Sequence, residues 1–248
     1  MSLFFTLAKS EQMNTLTTIL LFSWIAGLTA FLGGLISYFE ETVESKNKDE
    51  FIHGVIAFGG GILVSAVAFS LAPEGMEVLP SWLLGVTFLA GGLTFSSIDK
   101  YLSRKGGSKA QFMAMLMDFV PEAMAVGALF SKNKNAAILL AIFIAAQNLP
   151  EGFNSFREII SDKIRPAQTL ALLFGISFLG PIAAILGYFF LEGLPVVTAS
   201  VMTFAAGGIL YLVFQDIAPK STMQRHWSPP LGAVLGFLLG MIGQQLLG

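Results

Sequence analysis

Long apolar runs separated by short polar stretches extend along this chain from end to end. Each run holds about 20 residues, the length of α-helix that crosses the hydrocarbon core of a lipid bilayer. The eight runs lie at about residues 15–39, 52–73, 81–102, 110–130, 136–160, 167–191, 195–219 and 229–247. The pattern predicts an all-α membrane protein in which eight transmembrane helices form one domain over residues 1–248.

The composition agrees with this prediction and excludes several other classes of protein. Hydrophobic residues make up 54% of the 248 residues and charged residues only 12%, a balance that water-soluble domains do not reach. The absence of cysteine excludes disulfides, thiolate metal sites and cysteine nucleophiles. We expect a retained N-terminus rather than a signal peptide, since the first run is full length. No basic cluster indicates a nucleic-acid partner.

The distribution of basic residues predicts how the helices are oriented. Of the 14 lysines and arginines, 11 follow the first, third, fifth or seventh helix, and 3 lie on the opposite side. Basic loops remain in the cytoplasm. Both termini are therefore predicted to be extracytoplasmic, in an inner or plasma membrane that the chain crosses many times.

Two segments of the chain resemble each other. Residues 58–75, in the second helix, and residues 204–221, in the seventh, share a Gly-Gly-Ile-Leu core and a terminal Ala-Pro when the alignment is shifted by one residue between them. These helices are predicted to run in opposite directions, which is typical of an inverted-topology duplication in secondary transporters. We predict a 3 + 2 + 3 arrangement, with the fourth and fifth helices at the pseudo-two-fold axis. The alternative is chance recurrence in a chain rich in small residues.

The fourth and fifth helices carry the candidate chemistry. Asp118 and Glu122 are four residues apart in one, Gln147 and Glu151 in the other, so each pair shares one helix face. A carboxylate in hydrocarbon costs roughly 2.5 to 3.5 kcal/mol on insertion scales. Because no basic residue falls in the middle of a predicted helix, we predict a bound metal cation, with Asn148 as a further ligand. Hydrogen-bonding contacts between helices are the alternative role.

A proline precedes each glutamate of this pattern. Pro121 and Pro150 lack a backbone N–H and are predicted to break their helices, which would expose the carbonyls of Met117 and Ala146 as additional oxygen ligands. An all-oxygen site suits hard or borderline divalent ions, and Mn(II), Fe(II) and Zn(II) are all admissible. We expect the ion to be the substrate rather than a cofactor.

Four further polar residues are candidates for the path to and from this site. Glu74 and Glu77, at the outer end of the second helix, are predicted either to concentrate cations at an entrance or simply to be solvated. Gln215 and Asp216, near the inner end of the seventh helix, are candidates for an exit contact or for an ordinary polar helix end.

The chain resembles the ZIP (Zrt/Irt-like) family of divalent metal transporters, notably its short bacterial members. In that family the fourth helix typically reads His-Asn-x-Pro-Glu-Gly, and the fifth reads His or Gln, Asn or Asp, then x-Pro-Glu-Gly. Residues 147–152, Gln-Asn-Leu-Pro-Glu-Gly, fit the second motif fully. The fourth helix departs from the first motif, with Asp118 in place of His, Phe119 in place of Asn and Ala123 in place of Gly.

The resemblance implies a transporter that brings divalent metal into the cytoplasm, with a homodimeric assembly and an elevator-like movement. Zinc is the family's usual substrate, and cadmium is a further candidate. Asp118 favours harder ions such as manganese or iron, and Phe119 removes a ligand from the family's second metal position. We therefore expect one good metal site.

Two other functions are compatible with the same residues. One is a transport-inactive or metal-sensing relative, suggested by the altered fourth helix. The other is an intramembrane metal-dependent enzyme, which is disfavoured because no histidine, and no nucleophile with a base, accompanies the site. We do not expect an enzyme.

Overall fold

The computed structural model describes residues 2–41, 48–105, 109–161, 164–224 and 226–247. Within these residues the fold is helical, and every predicted apolar run coincides with a helix. The helices are α1 (Ser2–Glu41), α2 (Lys48–Val78), α3 (Ser81–Lys105), α4 (Lys109–Phe130), α5 (Lys134–Ser161), α6 (Pro166–Leu191), α7 (Pro195–Lys220) and α8 (Leu231–Leu247). The last helix starts two residues later than predicted, because Pro229 and Pro230 form a turn before it.

Six of these helices are long and apolar enough to cross a membrane: α1, α2, α3, α5, α6 and α7. Helix α8 has only 17 residues, and some side chains of α4 lie outside the described residues. The chain is thus a multi-pass membrane protein, while eight crossings and extracytoplasmic termini stay predictions. Lys46, Lys163 and Arg225, which contribute to the predicted orientation, lie outside the described residues.

The helices pack as two bundles. In the first bundle α1 lies along α5, and α4 lies along α6. In the second bundle α8 lies along α2, and α3 lies along α7. The bundles meet where α2 faces α5 and where α4 faces α7. Exchanging the first three helices for the last three, and α4 for α5, reproduces these contacts, as the 3 + 2 + 3 prediction requires.

Helices α2 and α7 also share an irregularity that supports a duplication over chance recurrence. Each contains one five-residue π-helical segment, at Val67–Leu71 in α2 and at Val213–Ile217 in α7. Each segment is followed by an Ala-Pro pair that contains Pro73 or Pro219. Such π segments are rare and often occur at functional sites. Two of them at matching places indicate a duplication rather than a chance similarity in composition.

Glycines bring α1 and α5 into backbone contact. A methyl group at Gly33 would overlap the carbonyl oxygen of Leu149, and one at Gly152 would overlap that of Ala30. Small residues allow this close approach between membrane helices. The contact holds the Pro-Glu segment of α5 firmly against α1.

Candidate metal site

The four predicted ligands lie on facing surfaces of α4 and α5. Because a short turn joins these helices, they run antiparallel, so Glu122 lies level with Gln147 and Asp118 lies level with Glu151. All four side chains are buried, and Glu151 is the most exposed at 8%. The fold therefore brings together the residues that the sequence selected.

A hydrogen bond fixes the part of this arrangement that Glu122 and Gln147 form. Gln147 Nε2 donates to Glu122 Oε2 over 2.5 Å. Gln147 Oε1 and Glu122 Oε1 are both buried and have no hydrogen-bond partner, and the same is true of Glu151 Oε2. Buried oxygens without partners cost about 1 to 3 kcal/mol each. These three oxygens can be satisfied by a cation.

The other part of the arrangement, formed by Asp118 and Glu151, lines a small cavity between the two bundles. Asp118 and Glu151 contribute to its wall, together with Asp216 of α7. The cavity holds about 30 Å³, which is room for one species the size of a water molecule. A divalent ion that has lost most of its hydration shell fits this space.

The electrostatics of the site favour a positive charge. The carboxyl groups of Asp118, Glu122 and Asp216 lie near enough to Glu151 for their negative charges to repel its own. Within the described part of the chain, no ion pair joins Asp118, Glu122 or Glu151 to a basic side chain. In the same residues, no three acidic or histidine side chains are gathered around one point as a metal centre. An ion bound here would need amide or backbone oxygens beside the carboxylates.

The prediction that Pro121 and Pro150 break their helices is wrong. Helix α4 continues through Pro121, and α5 continues through Pro150. Each proline lacks one N–H donor, but the flanking turns hold the helix together. Pro150 packs so closely on Gly59 of α2 that a methyl group there would come within 2.8 Å of the proline ring. The proline thus shapes the wall between α5 and α2.

Two neighbours of the site have other contacts. Asn148 Nδ2 donates to the carbonyl oxygen of Ala26 in α1 over 2.9 Å, while its Oδ1 has no partner. Asn148 therefore anchors α5 to α1, and its role as a ligand stays a prediction. Phe119 is buried, and its ring lies against Gly27 of α1 and Gly180 of α6, so it packs between helices and offers no ligand.

The residues proposed for the path divide into two groups. Asp216 reaches the cavity that Glu151 lines, whereas Gln215 is exposed on another surface, beside Tyr211. The structure does not bring Gln215 to the site. At the far end of α2, Glu74 pairs with Lys132, and Glu77 is exposed.

Sequence reasoning missed several residues near the cavity. Met115 and Asn154 line it, and Lys220 pairs with both Asp216 and Glu158. One signal in the sequence could have identified Asn154 and Glu158. They lie three and seven residues after Glu151, and residues so spaced share one helix face. Lys220 carries no such signal.

Comparison with known proteins agrees with this geometry. The family model described as ZIP Zinc transporter matches residues 110–247, which is more than half of the chain and includes the Pro-Glu pairs of α4 and α5. The chain belongs to the ZIP family. The resemblance first noted from the motifs of the fourth and fifth helices is thereby confirmed.

One relative with a similar sequence is the zinc transporter ZupT of Nitratidesulfovibrio vulgaris. It is 27% identical to this chain over 148 residues. The aligned region covers 55% of this chain and 52% of the relative, so the chain matches about half of that protein's length. Membership of a family named for zinc transport favours a transporter over an enzyme for this chain.

Proposed function

We propose that this protein transports a divalent transition metal ion across the membrane. The ion binds between α4 and α5, to oxygens of Asp118, Glu122, Gln147 and Glu151, and passes into the cytoplasm. Zinc is the first candidate substrate, because the matching family and the ZupT relative are named for zinc. Manganese, iron and cadmium are further candidates.

One observation carries this proposal. Glu122, Gln147 and Glu151 each present a buried oxygen without a hydrogen-bond partner, from two facing helices of a membrane protein. Ionisable residues within membrane helices are functional by default, and they mark ion pathways. An arrangement that served only to join helices would have used these oxygens for hydrogen bonds.

Uptake by purified protein in liposomes tests the proposal. We expect zinc, manganese, iron or cadmium to enter vesicles that contain the protein, and uptake to fall at least about tenfold in Glu151→Ala, because the ion loses a charged ligand. Glu192→Ala is the matched control, since this glutamate is exposed in the turn between α6 and α7 and does not line the site cavity. If no ion enters, the protein is a transport-inactive or metal-sensing member of the family. If ions enter but both variants match the parent protein, the ion does not bind at Glu151.

A further inference from the structure

A polar stripe leads from the candidate site toward one end of α5. Glu151, Asn154 and Glu158 lie along one face of the helix, and Glu151 and Asn154 line the site cavity together with Asp216 of α7. Seven residues of helix separate Glu151 from Glu158, about 10 Å. The stripe therefore joins the centre of the protein to the end of α5.

Lys220 closes this stripe. Its Nζ lies 2.6 Å from Glu158 Oε1 and 2.8 Å from Asp216 Oδ1. Glu158 belongs to the first bundle, whereas Lys220 and Asp216 belong to α7 of the second. One ammonium group thus joins the two bundles at the point where the polar stripe ends, which we call the Lys220 end.

A second ion pair joins the bundles on the other side of the site. Lys132, in the turn between α4 and α5, lies 2.6 Å from Glu74 of α2. The turn precedes α5, whereas Glu158 lies three residues from its last residue, so the two pairs flank the site. We call this second side the Glu74 end.

The internal repeat relates the two ion pairs. Glu74 follows the Ala-Pro pair of α2, and Lys220 follows the Ala-Pro pair of α7, each directly after a π-helical segment. The two residues therefore occupy equivalent positions and carry opposite charges. Each one pairs with the α4–α5 unit through a residue of the opposite sign.

We propose that these two ion pairs are latches that alternately close the path of the metal ion. The Lys220–Glu158 latch closes one end, and the Glu74–Lys132 latch closes the other. For an ion to leave toward Asp216 and Glu158, it must replace the ammonium group of Lys220, so the lysine acts as a tethered counter-ion at that end. This inference rests on the proposed function, because alternating closure has a purpose only in a transporter.

Cysteine labelling can test the latches directly, since the chain contains no cysteine. Ile56 of α2 packs against Phe153 of α5 and lines the site cavity, so Ile56→Cys reports opening at the Lys220 end. Ala66 of α2 packs against Phe143 of α5, so Ala66→Cys reports opening at the Glu74 end. The rate of reaction with a membrane-impermeant maleimide is measured for each in proteoliposomes without metal.

We expect each latch to affect its own end. Lys220→Gln and Glu158→Gln should each raise the labelling rate of Ile56→Cys roughly threefold to tenfold without raising that of Ala66→Cys, as the loss of a partly exposed ion pair would. Lys132→Gln and Glu74→Gln should do the reverse. Because each latch has two partners, misfolding of one variant leaves the other available.

Two controls separate a latch from general loosening. Tyr211 of α7 donates a hydrogen bond to Asp99 of α3 over 2.9 Å, a contact within the second bundle, so Tyr211→Phe should change neither rate. The double variant Glu74→Lys with Lys132→Glu should restore the rate that Glu74→Lys alone raises. Unchanged rates in the latch variants, equal acceleration by Tyr211→Phe, or failure of the double variant to restore would each overturn the proposal.

This experiment is independent of metal uptake. If the variants open the expected ends but the parent protein moves no ion, the two ion pairs hold the ends shut without gating an ion, so transport and the latch proposal are both rejected. If the parent protein moves ions but the variants label at the parent rate, transport is supported and the latches are rejected.

Discussion

Three buried oxygens without partners define the candidate site at the scale of single residues. Gln147 uses its amide nitrogen on Glu122, which leaves its oxygen without a partner, as one oxygen of Glu122 and one of Glu151 also are. The amide is thus oriented by one carboxylate and made available to a cation. The sequence identified these residues, but it could not show which atom of Gln147 is occupied.

Asp118 is expected to set the preference among metal ions. Replacing it by His substitutes an imidazole for a hard carboxylate, so Asp118→His should shift competitive uptake toward zinc over manganese by about fivefold or more. Asp118→Asn keeps an oxygen donor and should lower uptake of both ions without changing their ratio. Equal ratios in all three proteins would show that Asp118 does not contact the ion.

Metal binding should weaken as the pH falls. Carboxylates bind a metal only when they have lost their proton, so protons compete with the ion, and each displaced proton lowers the apparent affinity by up to about tenfold per pH unit. Titration calorimetry with zinc at neutral and acidic pH measures this slope. Glu151→Gln has one fewer carboxylate and should show a shallower slope; a parent affinity that is constant with pH would contradict the carboxylate site.

At the scale of the helices, the length of an apolar run does not by itself determine the helix geometry. The sequence predicts where α4 and α5 lie, but it wrongly predicts a break at each proline, because neighbouring turns and helices keep the chain helical through Pro121 and Pro150. Conversely, the π-helical segments Val67–Leu71 and Val213–Ile217 have no signal in hydropathy. Both arise from local hydrogen bonding that the apolar pattern does not encode.

The contact between α1 and α5 predicts an unusual response to a glycine substitution. In an isolated helix Ala is preferred over Gly by about 1 kcal/mol. At Gly152, however, the added methyl group would overlap the carbonyl oxygen of Ala30, so Gly152→Ala should destabilise the protein by about 1 to 3 kcal/mol. Thermal unfolding in detergent measures the change.

Gly85 provides the matched control for that substitution. It lies in α3, and no atom would come within 4 Å of an added Cβ there. Gly85→Ala should therefore leave the unfolding temperature unchanged or raise it slightly. If Gly152→Ala were equally harmless, α1 and α5 would not be in backbone contact.

At the scale of the whole molecule, the main feature is the interface between the two bundles. The candidate site lies on α4 and α5 of the first bundle, and its cavity is completed by α2 and α7 of the second. Movement of one bundle against the other would therefore open the site to one side or the other. A homodimer stays a prediction, since a single chain is described.

The orientation of the whole molecule can be measured directly. The excess of basic residues after odd-numbered helices predicts that both termini lie outside the cytoplasm. A protease-cleavable tag at either end should thus be removed from intact cells or spheroplasts by added protease, whereas a tag inserted between α3 and α4 should be protected. Protection of one terminal tag alone would mean an odd number of crossings.

The sequence by itself determined the helices, the membrane location, the family and the four candidate ligands. It could do so because membrane helices need about 20 apolar residues and because an acid among them is too costly to occur without a function. Tertiary structure alone decided the pairing of Glu122 with Gln147, the inward position of Asp216 and the outward position of Gln215. It also decided the meeting of Lys220 with Glu158, since residues 62 positions apart along the chain become neighbours only when α5 and α7 pack together.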